Sequence, residues 1–145
     1  MNKTFISTDE NMTKEIGHKL ADLLPNGSVV LLLGDLGAGK TTLVRGVAEA
    51  LGITEKVTSP TFNIMKIYLK GNRPLVHIDA YRLEDNNADI GLEEFIGIER
   101  GLTFIEWPMY IKNLIPDNAY VITLKHLGDN RREIYIEGDE RLCSL

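Results

Sequence analysis

Apolar residues recur at helical spacing near the start of the chain, with Met12, Ile16, Leu20 and Leu23 on one face. Ser7-Thr8-Asp9-Glu10 reads as a capping box before them: the Ser7 hydroxyl takes an orphan helix N–H and Glu10 reaches back to Ser7. Pro25-Asn26-Gly27 supplies the stop, so the pattern predicts an amphipathic helix packed on a core. Val29 to Leu33 is an unbroken apolar run with β-branched residues, suited to a strand buried on both faces of a mainly parallel sheet. Beyond a glycine-rich segment, Leu43, Val47 and Leu51 return to helical spacing over residues 42–51, and Gly52 is placed to end that helix.

Strand-forming residues from Phe62 to Leu69, the turn Lys70-Gly71-Asn72-Arg73-Pro74 and the run Leu75-Val76-His77-Ile78 predict an antiparallel hairpin. Glu84 to Asn87 reads as a polar connection, followed by a helix through Leu92, Phe95 and Ile96. Leu102-Thr103-Phe104-Ile105 predicts a short strand that breaks at Pro108. Two final strands, Tyr120 to His126 and Glu133 to Glu137, flank the turn Gly128-Asp129-Asn130. Interleaved strands and helices indicate an α/β layered fold, and the absence of repeats, low-complexity tracts or a composition break indicates a single domain over residues 1–145.

Composition narrows the function classes. At 145 residues, 43% hydrophobic and 26% charged, the chain can build one core and one site. Its net charge of −5, from 16 basic and 21 acidic side chains, argues against a protein that grips nucleic acid through its own field. The single cysteine, Cys143, excludes an internal disulfide and cysteine-based zinc spacings. No apolar run approaches the roughly 18 residues of a membrane span, and the first residues lack the apolar region of a signal peptide, so a cytoplasmic location is expected.

The strongest chemical signal is Gly34-Asp35-Leu36-Gly37-Ala38-Gly39-Lys40-Thr41, a complete G-x-x-x-x-G-K-[ST] phosphate loop. Gly34, Gly37 and Gly39 permit backbone angles that turn successive amides toward phosphate oxygens. Lys40 can bridge the β- and γ-phosphates, the Thr41 hydroxyl is a hard oxygen ligand for Mg²⁺, and the following helix adds its positive end. The bare pattern arises by chance in roughly one chain in 200 of this length, so the buried strand before it and the amphipathic helix after it carry much of the inference. The fold expected is therefore P-loop NTPase-like, with a mixed, mainly parallel central sheet flanked by helices. The ligand expected is ATP or ADP with Mg²⁺.

A second magnesium anchor is normally an acidic residue at the end of a neighbouring apolar strand. Asp79 and Glu106 both meet that description, the plainer alternative being that each caps or solvates a loop. His77 alternates with Asp79 and Tyr81, and would share their face if the strand continued; a satisfied histidine within a strand is its commoner fate. Tyr81 and Arg82 are placed to order the adjacent loop or contact phosphate, although Arg82 also suits solvated surface. Thr58-Ser59-Pro60-Thr61-Phe62 falls where P-loop switches put hydroxyls that sense the γ-phosphate, and would also form an ordinary turn. Trp107, the only tryptophan, reads either as core or as an exposed anchor for a partner.

In order and spacing, the phosphate loop through Thr42, Thr58-Ser59-Pro60-Thr61-Phe62, His77-Ile78-Asp79-Ala80-Tyr81-Arg82 and Glu106-Trp107-Pro108 resemble the TsaE (YjeE) ATPases of bacterial tRNA threonylcarbamoyladenosine biosynthesis. The resemblance covers almost the whole chain. It implies that Thr41 and Glu106 serve magnesium, that Asp79 is needed for hydrolysis, and that Thr58 to Phe62 acts as a switch. It also implies that Thr8 and a basic residue, Arg131 or Arg132, lie toward the nucleotide, with Arg131 taken as the site residue. The implied partners are TsaB and TsaD, with tRNA met only indirectly through that complex, and hydrolysis is implied to be weak until the partners stimulate it.

A small-molecule P-loop kinase is the main alternative, but such an enzyme closes a cationic lid over its acceptor, and no arginine-rich insertion is present. A GTPase would need an Asn-Lys-x-Asp segment, whereas the one Asn-Lys pair continues as Thr4-Phe5. A non-catalytic interaction module requires that Asp79 and Glu106 point away from the loop.

Overall fold

The computed structural model describes residues 1–35, 37–60, 64–83 and 91–145. In chain order it contains β1 (Asn2–Ser7), α1 (Glu10–Leu23), β2 (Ser28–Leu33), α2 (Lys40–Ala50), β3 (Met65–Tyr68), β4 (Leu75–Asp79), β5 (Leu102–Glu106), β6 (Tyr120–Gly128) and β7 (Arg131–Glu137). Short 3₁₀ turns at Tyr81–Leu83, Leu92–Phe95, Pro108–Leu114 and Glu140–Leu142 fill connections.

Among the described residues, seven strands form one sheet in the order β1-β7-β6-β2-β5-β4-β3. The central β6, β2, β5 and β4 run parallel, and β1, β7 and β3 join antiparallel at the margins. β2 pairs on both edges, so its backbone groups are satisfied without water and its apolar run can be buried on both sides. Val30 and Leu32 join one core with Leu20, Leu43 and Val47 of the helices, while Val29 packs on the opposite side with Val76, Ile105 and Ile111. The sheet is thus covered by α1, α2 and the Glu140–Leu142 turn on one face and by the other three 3₁₀ turns on the opposite face.

The two helices cross closely because each presents a glycine. A Cβ on Gly17 would lie 2.5 Å from the Leu43 carbonyl oxygen, and one on Gly46 only 2.3 Å from that of Lys14. The crossing locks α1 to α2, whose first turn follows the phosphate loop. At its other end α2 closes at Leu51, and Gly52 adopts the expected left-handed angle, φ +77°.

Three expectations need correction. The chain enters on β1, which was not anticipated, and Ser7 ends that strand instead of capping α1. The cap is Asp9, whose Oδ1 accepts the Met12 N–H at 2.9 Å. Ser7 Oγ instead donates to the Asp9 carbonyl at 2.7 Å and accepts from Thr13 at 2.8 Å, pinning the strand-to-helix junction. With the start moved, the buried face is Thr13, Ile16, Gly17, Leu20 and Ala21, and Met12 is left exposed. The helix expected through Ile96 is only the turn Leu92–Phe95, bounded by left-handed Gly91 and Gly97 with Ile96 extended. The hairpin forms as β3 and β4, with β3 beginning at Met65. Phe62 and the connection from Glu84 to Asn87 lie outside the described residues.

Candidate functional site

Where β2 ends, Gly34, Gly37 and Gly39 take φ angles of +141°, +79° and +102°, closed to most other residues. At Gly34 a Cβ would also lie 2.4 Å from the Leu124 carbonyl oxygen. The Ala38 N–H bonds the Asp35 carbonyl at 3.1 Å, so Asp35 and Ala38 shape the turn; Leu36 lies outside the described residues. Gly39 stands at the N-terminus of α2 without a side-chain cap, which leaves the first-turn amides and the positive helix end facing the loop.

Lys40 folds back beneath this loop. Its Nζ donates to the Gly34 carbonyl at 2.6 Å, lies 3.5 Å from Glu106 Oε1, and sits 5.0 Å from the centre of the Trp107 ring. The ammonium is therefore buried yet charge-matched, at the floor of a cleft of about 340 Å³. Gly37, Gly39, Thr41 and Thr42 form one side of that cleft, with Ser59, Asp79, Glu106 and Trp107 beside them.

The carboxylates arrive there by strand register. Asp79 and Glu106 are paired neighbours on parallel β4 and β5, so both stand at the same end of adjacent strands. Both are buried among the polar groups of the site. The Asp79 Oδ1 accepts the Tyr81 N–H at 3.0 Å, and Glu106 Oε2 meets His77 Nε2 at 2.8 Å. Burial alone would push the Glu106 carboxyl up, but the His77 hydrogen bond and charge, with the charge of Lys40, hold it below the usual carboxylate range. β4 stops at Asp79, and Tyr81 belongs to the following 3₁₀ turn, so it does not continue the His77 and Asp79 face as a strand residue.

The cleft is also lined by Asp9, Glu10 and Thr13, at the start of α1, and by Asn130, which sequence reasoning missed, together with Arg132. Thr8 is exposed, bonds Met12 Sδ at 2.8 Å and does not line it. The arginine register resolves to Arg132, whose Nε would lie 3.7 Å from a Cβ on Gly39; Arg131, taken as the site residue, is exposed and outside the cleft, the adjacent strand position facing away. The helix-start signal at Ser7-Thr8-Asp9-Glu10 marked this part of the cleft, but placed its cap two residues early.

Of the residues expected to act as a switch, Ser59 lines the cleft, Thr58 accepts a hydrogen bond from the Lys66 ammonium, and Thr61 lies outside the described residues. Trp107 takes a left-handed φ of +57°, stacks on Tyr110 with centroids 6.2 Å apart, and meets Tyr81 edge-on at 5.0 Å. It is half-buried at the cleft rim, between the two roles considered for it. Arg82 is exposed and outside the cleft.

Among the described residues, no group of three or more His, Cys, Asp or Glu side chains is assembled to hold a metal, and no helix is long and apolar enough to cross a membrane. The cleft lining nevertheless includes the Thr41 hydroxyl and the Glu106 and Asp79 carboxylates, all hard oxygen donors. That donor set suits Mg²⁺, which usually takes one or two carboxylates and completes its shell with water and phosphate.

A family model described as Threonylcarbamoyl adenosine biosynthesis protein TsaE matches residues 7–134. A tRNA threonylcarbamoyladenosine biosynthesis protein TsaE from Bacillus subtilis (strain 168) is 46% identical over 122 residues, covering 84% of this chain and 77% of its own length. The protein of the same name from Rickettsia bellii is 36% identical over 148 residues, covering 100% of this chain and 95% of the relative. The crystal structure of Bacillus subtilis YdiB matches with a TM-score of 0.80 at 36% identity, over 94% of this chain and 84% of that one. The chain therefore belongs to the TsaE family of tRNA threonylcarbamoyladenosine biosynthesis proteins.

Proposed function

We propose that this protein binds and hydrolyses ATP with Mg²⁺, and that it does so in support of tRNA threonylcarbamoyladenosine modification alongside TsaB and TsaD. The observation that carries the reading is Lys40: a buried ammonium beneath a glycine loop, held by one carbonyl and one carboxylate at the floor of the cleft. A polyphosphate can take over those contacts without leaving the charge unpaired.

In this reading the loop amides and the α2 N-terminus bind the phosphates, and Lys40 shifts from Gly34 toward their oxygens. Thr41 and Glu106 hold the magnesium ion, which neutralises charge between phosphates when bound. Asp79, next to Glu106 and oriented by the Tyr81 amide, positions the attacking water. Asp9, Glu10, Thr13, Asn130 and Arg132 form the wall beyond the loop, where the nucleoside portion fits. Family membership and the net charge of −5 support a subunit that acts through protein partners and leaves tRNA to them.

Isothermal titration with ATP and with GTP in magnesium buffer, and phosphate release with and without purified TsaB and TsaD, test the reading. Saturable ATP binding and partner-stimulated release are expected. No saturable binding of adenine nucleotide would end it, and release unaltered by TsaB and TsaD would remove the partners from it.

A further inference from the structure

Beyond its contact with Glu106, the buried histidine of β4 has been given no role so far. His77 is 0% exposed, two residues before Asp79, on the sheet face that carries the helices. Its Nε2 lies 2.8 Å from Glu106 Oε2, while Oε1 of the same carboxylate is the oxygen 3.5 Å from Lys40. An ionised carboxylate only accepts hydrogen bonds, so His77 donates from Nε2. Its other nitrogen, Nδ1, is buried with no hydrogen-bond partner among the described residues.

That arrangement is a poor one for packing alone. A leucine would fill a strand interior without leaving a buried ring nitrogen unpaired. What the imidazole adds is one fixed bond to one oxygen of Glu106. Glu106 has use for such a restraint, since its register neighbour on β4 is another carboxylate, Asp79, and its second oxygen is held by the ion pair with Lys40.

We infer that His77 is a positioning residue that ties down Oε2 of Glu106 and so presents Oε1 to the cleft, at the point where the magnesium ion and Lys40 meet the phosphates. The inference rests on the magnesium nucleotide reading of the same site. His77 touches no substrate; it acts through Glu106, as hydrogen-bond partners behind metal-binding carboxylates do.

The test compares the wild type with His77→Gln, whose side-chain amide can replace the Nε2 donor, and His77→Leu, which keeps bulk without a donor. Magnesium titrations of ADP binding are followed by calorimetry, and kcat and KM for ATP are measured in parallel. His77→Leu is expected to weaken the magnesium-dependent part of ADP binding by about tenfold or more, with binding in EDTA unchanged. Its kcat falls by a similar factor while KM for ATP moves less, and His77→Gln recovers most of both. A third measurement needs neither metal nor nucleotide: urea denaturation of His77→Leu, Glu106→Ala and the double variant. Coupled residues give a double variant less destabilised than the sum of the singles.

Equal impairment of the Gln and Leu variants would reduce His77 to packing and overturn the proposal, as would additive denaturation effects. Absence of magnesium-promoted ADP binding by the wild type would instead overturn the nucleotide reading itself. Normal wild-type binding with an indistinguishable His77→Leu would overturn the role of His77 alone.

Discussion

Lys40, Glu106 and His77 form a chain of charge and hydrogen bonding in which each member limits the freedom of the next. Removing the cation should be the most damaging single change to ligand binding. Lys40→Ala is expected to lose roughly 100-fold or more in ATP affinity by calorimetry, since charge-assisted contacts to phosphate are among the strongest a site can make. Glu106 should reveal itself through acid. Its folded carboxyl lies below the ordinary value of 4.5, so its contribution to stability is present above that value and is lost as pH falls through the lower folded one. Urea midpoints from pH 6 downward should therefore fall more steeply for the wild type than for Glu106→Gln below about pH 4.5. Parallel curves would contradict that coupling. The lysine, the hydroxyl of Thr41 and the glycines were readable because the loop is contiguous in sequence. The His77 to Glu106 bond was not, because it spans 29 positions and exists only through the pairing of β4 with β5.

At the level of elements, α1 deserves equal standing with the loop, because its first turn lines the cleft and its middle is locked to α2. Gly46→Ala would drive a methyl group into the Lys14 backbone. Overpacking of this kind is expected to destabilise by about 1 to 3 kcal/mol in chemical denaturation, and the displaced α1 should also weaken nucleotide binding. A stability and affinity equal to wild type would show that the crossing is slack. Buried strands and α2 were legible because long apolar runs and helical periodicity dominate their sequences. β1 was not: its inward positions include Lys3 and Ser7, and the strand is defined mainly by its ladder to β7. For the same reason the capping box at Ser7 misled, since a hydroxyl that ends a strand is already engaged before the helix begins. Leu92, Phe95 and Ile96 have helical spacing, but left-handed glycines on each side leave room for one turn.

Across the whole molecule, the cleft rim carries an aromatic cluster, with Tyr81 48% exposed and neighbouring Met109 42% exposed. Tyr81 meets Trp107 edge-on and Met109 follows it by two positions, and Trp107 lies against Lys40, so a partner seated there would sense the phosphate site through one ring. The double variant Tyr81→Ala, Met109→Ala should reduce stimulation of phosphate release by TsaB and TsaD, while ATP affinity of the isolated protein stays within about threefold. Undiminished stimulation would place the docking surface elsewhere. The pairing of Asp79 with Glu106 has a wider consequence. Because one ladder aligns both acids, lesions deep within β4 or β5 can silence the protein without altering any group that meets a ligand. An extra amino acid inserted midway along β4 would rotate Asp79 to the reverse side of the pleat, among Val76 and Ile78, leaving a single acid where two belong.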